Sequence, residues 1–192
     1  MKKTVSVMII LSMLLILDLS PLWAQQNSGP AAPILNHYAA RNFVAGAIPK
    51  ADLDIILQAG IRAPSANNRQ PWRFTVVQNQ NLAKQIISNI LDGNVIIVVS
   101  AQGDGKTNGS QILDCGLAVE SMYLAAQALG YGSRILTGPV DTVNSKLKTD
   151  LGLPSGYSAV ALVRVGKVQG PVDAVSAASS RKKAEEMVSY SK

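Results

Sequence analysis

The run VIIVV at residues 95–99 is the strongest constraint on how this chain folds. Every side chain in the run is apolar and β-branched, a composition that favours a strand. A strand without polar side chains on either face suits the centre of a sheet, where it is buried on both sides. The run therefore predicts a layered fold with a sheet at its centre.

Helical and strand patterns on either side of this run supply the remaining elements. Apolar residues at helical spacing predict helices over residues 33–40, 49–63, 81–91, 111–129, 143–151 and 181–190. Shorter apolar segments predict strands over residues 74–77, 133–136 and 157–168. This order is typical of a sheet covered by helices, in the α/β or α+β range.

The longest predicted helix, residues 111–129, is apolar on nearly every side. Such a helix belongs in a core or at a subunit interface. Asp114, Glu120 and Gln127 interrupt its apolar surface and argue against a membrane span. The helix should end at Gly130 and Gly132, since glycine is the usual residue just past a helix.

Composition narrows the class of protein. The chain has 192 residues, of which 47% are hydrophobic, enough for one domain with its own core. The formal net charge is +6, but the densest basic run, Arg181-Lys182-Lys183, is followed at once by Glu185-Glu186. Taken alone, that run indicates a solvated helix face, and no basic patch for nucleic acid is evident.

Metal and disulfide chemistry have little support in the sequence. His37 is the only histidine, Cys115 is the only cysteine, and neither CxxC nor HExxH occurs. A single cysteine allows no internal disulfide. We expect Cys115 to be a small buried hydrophobe within its helix.

The N-terminus has the pattern of a targeting segment. Lys2 and Lys3 precede an apolar stretch at residues 5–17, Pro21 breaks the helix, and Ala24 offers a small residue for cleavage. We expect a signal peptide over residues 1–24, a flexible leader over 25–32 and one domain over 33–192. The chain would then be periplasmic or secreted. The alternative is an uncleaved membrane anchor, although the apolar stretch is short for a span.

A polar stretch between the second predicted helix and the strand at 74–77 is the main candidate for a site. It reads APSANNRQPW over residues 63–72. Loops of this kind, held by a rigid scaffold, often carry ligand groups. Composition alone favours a capped turn, with Ser65 and the asparagines bonding their own backbone.

The spacing of this stretch resembles a family signature. Residues 63–72 match A-P-S-[AS]-x-N-x-Q-P-W of the nitroreductase family, the FMN-dependent oxidoreductases, at every fixed position. Arg41-Asn42-Phe43 resembles the end of the family's N-terminal R-x-S-x-R-x-F segment. Residues 114–133, DCGLAVESMYLAAQALGYGS, resemble its central helix, and residues 181–186, RKKAEE, resemble its C-terminal R-K-x-x-E-E.

The resemblance implies an α+β fold of three layers, α/β/α, with a mostly antiparallel sheet. It also implies a homodimer with FMN at the interface, to which the central helix contributes. No catalytic side chain and no metal ligand is expected. The implied FMN-binding residues are His37, Arg41, Pro64, Ser65, Ala66, Asn68, Gln70, Thr137, Gly138 and Arg181.

The resemblance assigns a role to several of these residues. Arg181 would hold the FMN phosphate, and Arg41 the ribityl chain or the N1/O2 edge. Thr137 and Gly138 match the segment whose backbone N–H approaches flavin N5. The sequence departs from the pattern at two positions, with His37 where an arginine is usual and Ala39 where a serine is usual. His37 is either a phosphate ligand or an exposed helix residue.

The implied reaction is hydride transfer from NAD(P)H through FMN to a nitroaromatic, quinone or similar acceptor. The predicted export introduces an alternative, since NAD(P)H is a cytoplasmic reductant. The chain could instead be an exported flavin- or ligand-binding protein on the same scaffold, with little reductase activity. A purely structural exported dimer is a third alternative.

Overall fold

The computed structural model describes residues 31–106, 108–169 and 181–191. The predicted signal peptide, almost all of the leader and most of the loop at 169–180 lie outside these residues. The chain divides into one unit up to Asn36 and a second from His37 onward. Among the described residues no helix is long and apolar enough to cross a membrane.

Within the first unit, the described residues form one helical turn, α1 (Ala32–Leu35). The predicted helix over 33–40 is therefore wrong beyond Leu35. Asn36 leaves the helical conformation, with φ −106° and ψ 6°. Further on, the backbone bonds elsewhere: Tyr38 bonds with the Gln127 side chain, and the Ala40 N–H donates to the Ser133 carbonyl. Helical bonds are thus replaced by tertiary ones.

A five-stranded sheet forms the centre of the second unit. Its strands are β1 (Phe43–Val44), β2 (Trp72–Val77), β3 (Val95–Gln102), β4 (Gly132–Leu136) and β5 (Tyr157–Val168). The order is β1-β5-β3-β2, with β4 also paired to β5, and every pairing is antiparallel. Strand β1, only two residues long, has no counterpart in the sequence prediction.

Helices cover both faces of this sheet. They are α2 (Lys50–Ile61), α3 (Gln80–Ile86), α4 (Gly109–Ala128) and α5 (Val140–Thr142, continuing as a π-helical turn over Val143–Leu147). A further short helix, α6 (Ala184–Met187), has no buried residue. One apolar cluster joins the sheet to α2 and α4, and a second joins it to α3 and α5. The fold is thus α+β with three layers, as the sequence predicts.

Strand β3 explains this layering. Val95, Ile97 and Val99 point into the first cluster, while Ile96 and Val98 point into the second. All five residues are essentially inaccessible to solvent. Successive side chains of a strand point to opposite faces, so an all-apolar strand requires cover on both. The prediction made from the VIIVV run is confirmed.

Three further helix predictions need correction. Helix α3 ends at Ile86 rather than Leu91, because Ile87 is extended with φ −132° and Ile90 reaches the core through a turn. The predicted helix at 143–151 begins earlier and widens into the π-helical turn, where the Asn144 amide bonds both backbone groups of Ala159. The predicted helix at 181–190 is one turn, since none of its residues is buried.

Candidate functional site

The loop between α2 and β2 holds an unusual backbone. Ser65 is extended, Ala66–Asn68 form a 3-10 turn, and Asn67, Asn68 and Gln70 have φ of 52°, 53° and 47°. Non-glycine residues rarely adopt this left-handed conformation, although asparagine tolerates it better than most. We call residues 64–70 the site loop.

Hydrogen bonds inside the site loop fix its shape. The Ser65 hydroxyl accepts a bond from the Gln70 N–H at 3.0 Å. The Gln70 side-chain amide donates to the Asn68 carbonyl at 3.3 Å and to the Asn68 side-chain oxygen at 3.1 Å. The loop is thus a well-capped turn, and it still presents exposed amide groups of Asn68 and Gln70 to solvent.

A buried carboxylate on α4 anchors the same loop. Asp114 is 2% exposed, and its Oδ1 accepts a hydrogen bond from the Ala66 N–H at 3.0 Å. Its Oδ2 has no hydrogen-bond partner and lies 3.8 Å from Nη2 of Arg69. Arg69 also bonds the Ser110 hydroxyl and the Ala66 carbonyl. Asp114 thus ties the site loop to the central helix.

A second group of predicted residues lies around Tyr123 of α4. The His37 imidazole meets the Tyr123 ring edge-on, with centroids 5.7 Å apart and planes at 76°. Burial raises the pKa of Tyr123, while the positive charge of Arg181 acts on that pKa in the opposite direction. His37 thus packs against Tyr123, and the charge of Arg181 acts on the same tyrosine, which links the N-terminal and C-terminal phosphate candidates.

Gln127 holds the chain beside this group in position. Its amide bonds both backbone groups of Tyr38, at 3.1 and 2.9 Å, and donates to the Ser133 hydroxyl at 2.9 Å. Ser133 in turn bonds the Tyr123 carbonyl at 2.8 Å. Arg41 lies three positions after Tyr38 in the chain and is exposed. The segment carrying His37 and Arg41 is thus fixed against α4 and β4.

The third group lies just after β4. Thr137 and Gly138 are exposed, and the Thr137 carbonyl accepts a bond from the Val140 N–H at 3.1 Å. A Cβ atom at Gly138 would meet nothing within 4 Å. The backbone here is open to an approaching ligand.

Two cavities adjoin the site loop. One, of about 380 Å³, is bordered mainly by apolar side chains of α2 and β2, and the other, of about 200 Å³, is mainly polar. Among the described residues, no group of three His, Cys, Asp or Glu side chains could hold a metal ion.

The sequence does not identify the residues of α4 that hold the site in position. Asp114 belongs to the motif of the central helix and, with Gln127, is a polar interruption of that helix, but the sequence assigns neither of them, nor Ser110 or Tyr123, to the site. Asp114 is 48 positions from Ala66, so nothing local pairs them. The available signal was a charged residue on the buried face of an apolar helix, since a buried charge needs a partner.

Comparisons with known proteins agree with this architecture. The model of the nitroreductase family matches residues 34–102 and 88–167. A protein of Archaeoglobus fulgidus named "Putative NADH dehydrogenase/NAD(P)H nitroreductase" is 32% identical over 124 residues, which span 60% of this chain and 71% of the relative. A protein of Methanothermobacter thermautotrophicus with the same name is 32% identical over 93 residues, spanning 45% of this chain and 49% of the relative.

Solved structures show the same fold. A "putative nitroreductase in complex with FMN" from Desulfovibrio desulfuricans superposes with a TM-score of 0.71 at 26% identity, covering 86% of this chain and 98% of that one. A nitroreductase with bound FMN from Bacteroides fragilis gives 0.69 at 23% identity, covering 84% and 97%. The family model matches more than half of this chain. The chain therefore belongs to the nitroreductase family, a family of oxidoreductases.

Proposed function

We propose that this chain is an FMN-dependent oxidoreductase that passes hydride from NAD(P)H through FMN to a nitroaromatic, quinone or similar acceptor. The site loop is the observation that carries the proposal. Three non-glycine residues in four positions adopt the left-handed conformation, at a cost on the order of 1–3 kcal/mol each. Residues held in this conformation cluster at active sites and ligand-binding loops when the surrounding structure fixes them, as the hydrogen bonds of Ser65, Asn68 and Gln70 do here.

The residues present suit FMN by their chemistry. A flavin needs donors and acceptors along its pyrimidine edge and ribityl chain, and positive charge at its phosphate. The site loop offers hydroxyl and amide groups of Ser65, Asn68 and Gln70. His37, which packs against Tyr123, and Arg181, whose charge acts on that tyrosine, offer an imidazole and a guanidinium for the phosphate.

Each group of residues would perform a separate task. Bound FMN would supply two-electron transfer between a donor and an acceptor that use the site in turn. The site loop would bind and orient the flavin, and Asp114 would keep that loop in shape. Gly138, without a side chain, would let backbone approach the cofactor closely. No side chain is needed here as a general acid or base.

The named relatives support the cofactor and the donor. The nitroreductases from Desulfovibrio desulfuricans and Bacteroides fragilis were solved with FMN, and the name of the relative from Archaeoglobus fulgidus specifies NAD(P)H. We extend both assignments to this chain as a proposal, together with the ten binding residues predicted from the sequence.

We further propose that the protein is a homodimer that uses the exposed side of α4. Leu113 is 65% exposed, and Leu117 and Leu129 also remain accessible at the surface. A Cβ atom at Gly116, on the same helix, would meet nothing within 4 Å. Leu113 and Leu117 lie one helical turn apart, and a contiguous exposed apolar patch is typical of a protein interface.

A second candidate function is an exported flavin- or ligand-binding protein with little reductase activity. Two observations favour it: the targeting pattern of residues 1–24, and the departures at His37 and Ala39 from the usual phosphate-binding pattern. Export through that segment, to the periplasm or the medium, is part of this proposal. The exported protein would have to obtain electrons from a donor other than cytoplasmic NAD(P)H.

Equilibrium titration of the purified protein with FMN tests the cofactor assignment. We expect a dissociation constant in the micromolar range or below, and weaker binding of riboflavin, which lacks the phosphate that His37 and Arg181 would hold. Equal affinity for FMN and riboflavin would contradict the phosphate assignment. No binding of either flavin at tens of micromolar would contradict both candidate functions.

A further inference from the structure

The two cavities beside the site loop share two residues, Gln70 and Arg73. Gln70 belongs to the site loop, so both cavities open next to the proposed flavin site. Arg73 lies one residue into β2, at the edge of the sheet. A molecule that occupied both cavities would therefore pass Arg73.

The larger cavity is suited to an apolar or aromatic body. Leu57 and Ile61 of α2 form one side, and Trp72, Phe74 and Val76 of β2 form the other. The Trp72 and Phe74 rings lie parallel, with planes 3° apart and centroids 6.4 Å apart. A volume of about 380 Å³ lies within the usual range for a small-molecule site.

The smaller cavity has the opposite character. Its polar border combines the guanidinium groups of Arg69 and Arg73 with the amides of Gln70, Gln102 and Gln111. None of the described residues that line it is acidic. The charge of Arg73 and several amide donors around one cavity favour a carboxylate or a phosphate group.

Arg73 is held in place between the two cavities. Its Nη1 donates to the Trp72 carbonyl at 2.8 Å, and its Cζ lies 5.6 Å from the centre of the Tyr157 ring. Arg69 already faces the Asp114 carboxylate, whereas no ion pair of Arg73 occurs within the described part of the chain. The Arg73 guanidinium is thus held between the two cavities, where it can pair with an anionic group of a ligand.

We propose that these two cavities bind the electron acceptor, and that this acceptor joins an apolar or aromatic body to an anionic group held by Arg73. The apolar body lies between α2 and β2, and the carboxylate or phosphate lies among Arg73, Arg69 and the glutamine amides. This inference rests on the proposed function, because it names the class of acceptor that the same site would reduce.

Steady-state kinetics with a matched pair of acceptors tests it. At neutral pH, 4-nitrobenzoate carries the anionic group and methyl 4-nitrobenzoate does not, although the two are similar in shape. With NADH as donor, we expect Arg73→Gln to raise the KM for 4-nitrobenzoate about tenfold or more, the effect of losing one charged hydrogen bond. The KM for the ester should stay unchanged, because the ester carries no anionic group for Arg73. Both kcat values should also stay unchanged, because the lost interaction is made equally in the ground state and the transition state.

Two further variants sharpen the result. Arg62→Gln removes the same charge from an exposed residue that lines neither cavity, and should leave both KM values unchanged. Ile61→Gln places a polar group in the larger cavity, and should raise the KM for both acceptors.

Several outcomes overturn the inference. Equal effects of Arg73→Gln and Arg62→Gln would mean that only the overall charge matters. An increase confined to the KM for NADH would assign the anion site to the donor. A loss of FMN affinity in Arg73→Gln would make Arg73 a flavin ligand.

A failure of the proposed function can be distinguished from these outcomes. If the unmodified protein does not bind FMN, the proposed function fails, and calorimetric titration with 4-nitrobenzoate and its ester then tests the cavities directly. Preference for the acid that Arg73→Gln abolishes supports the anion site even then, whereas equal binding of acid and ester overturns it.

Discussion

Asp114 is a buried carboxylate whose two oxygens have different partners. Oδ1 accepts a hydrogen bond from the Ala66 N–H, and Oδ2 faces only the Arg69 guanidinium at 3.8 Å. We expect Asp114→Ala to lower the free energy of unfolding by about 1.5–3 kcal/mol, because the Ala66 N–H loses its bond to a charged acceptor. FMN affinity should fall as well, since the site loop loses its anchor.

Asp114→Asn is the matched comparison for that experiment. It retains an oxygen for the Ala66 N–H and loses the charge opposite Arg69, so denaturant unfolding should show a smaller loss of stability than with alanine. Normal FMN binding by Asp114→Ala would show that the flavin does not depend on the loop's anchor.

Arg181 is predicted to bind the FMN phosphate. We expect Arg181→Ala to weaken FMN binding by about 1.5–3 kcal/mol, the scale of a hydrogen bond to a charged group. Riboflavin affinity should not change, and Lys146→Ala, which removes an exposed positive charge from α5, should leave FMN affinity intact. If FMN affinity is the same with and without the guanidinium, Arg181 is not a phosphate ligand.

Residues of the site loop could be predicted as a group because they are contiguous in sequence. The carboxylate that anchors the loop could not be predicted, because Ala66 and Asp114 meet only after α4 packs beside the loop. The Arg164 guanidinium illustrates the same limit. It lies within a segment that the sequence predicts only as a strand, is buried over the Phe43 ring at 4.0 Å and bonds Asn94, 70 positions away.

At the scale of elements, a tyrosine–carboxylate bond joins α2 to the segment after α4. The Tyr131 hydroxyl donates to Oδ2 of Asp52 at 2.5 Å. That bond, with burial, raises the pKa of Tyr131 to about 12 from its ordinary value of 10. The folded protein therefore binds more protons than the unfolded chain between pH 10 and 12.

Stability should accordingly be lost as the pH rises through this window. The contribution of Tyr131 is fully present below pH 10 and disappears as the pH passes 12. Chemical denaturation at several pH values measures this loss. The free energy of unfolding should fall less steeply with pH for Tyr131→Phe than for the unmodified protein, because phenylalanine has no proton to release. Parallel profiles for the two proteins would contradict this assignment.

Helix lengths were the least predictable feature of the elements. The patterns for α2 and α4 extend over buried faces, and both helices were predicted to within about two residues at each end. In α1 and α6 no residue is buried, and each is a single turn. Propensity alone stabilises such short helices poorly, because most helix stability comes from packing.

At the scale of the whole molecule, the exposed side of α4 predicts the oligomeric state. Leu113→Glu places a charge where an apolar side chain would be buried between protomers, so sedimentation should shift from dimer toward monomer. Leu91→Glu is the control, an exposed leucine on a different part of the chain. A monomeric unmodified protein, or a dimer unaffected by Leu113→Glu, would contradict the use of this surface.

The layered architecture followed from the sequence because β3 leaves little freedom: a strand without a polar face must be covered twice. The antiparallel order of the strands was implied by the family resemblance, and the structure confirms it. Composition could not show that order, because buried parallel and antiparallel strands have similar apolar patterns.

Anaerobic titration of the FMN-loaded protein with NADH and NADPH tests the central claim most directly. We expect a reduced nicotinamide to bleach the flavin absorbance, and 4-nitrobenzoate or a quinone added without oxygen to restore it. If dithionite bleaches the flavin but neither nicotinamide does, the chain binds FMN without accepting electrons from NAD(P)H. That result would contradict the proposed reaction in favour of the flavin-binding alternative.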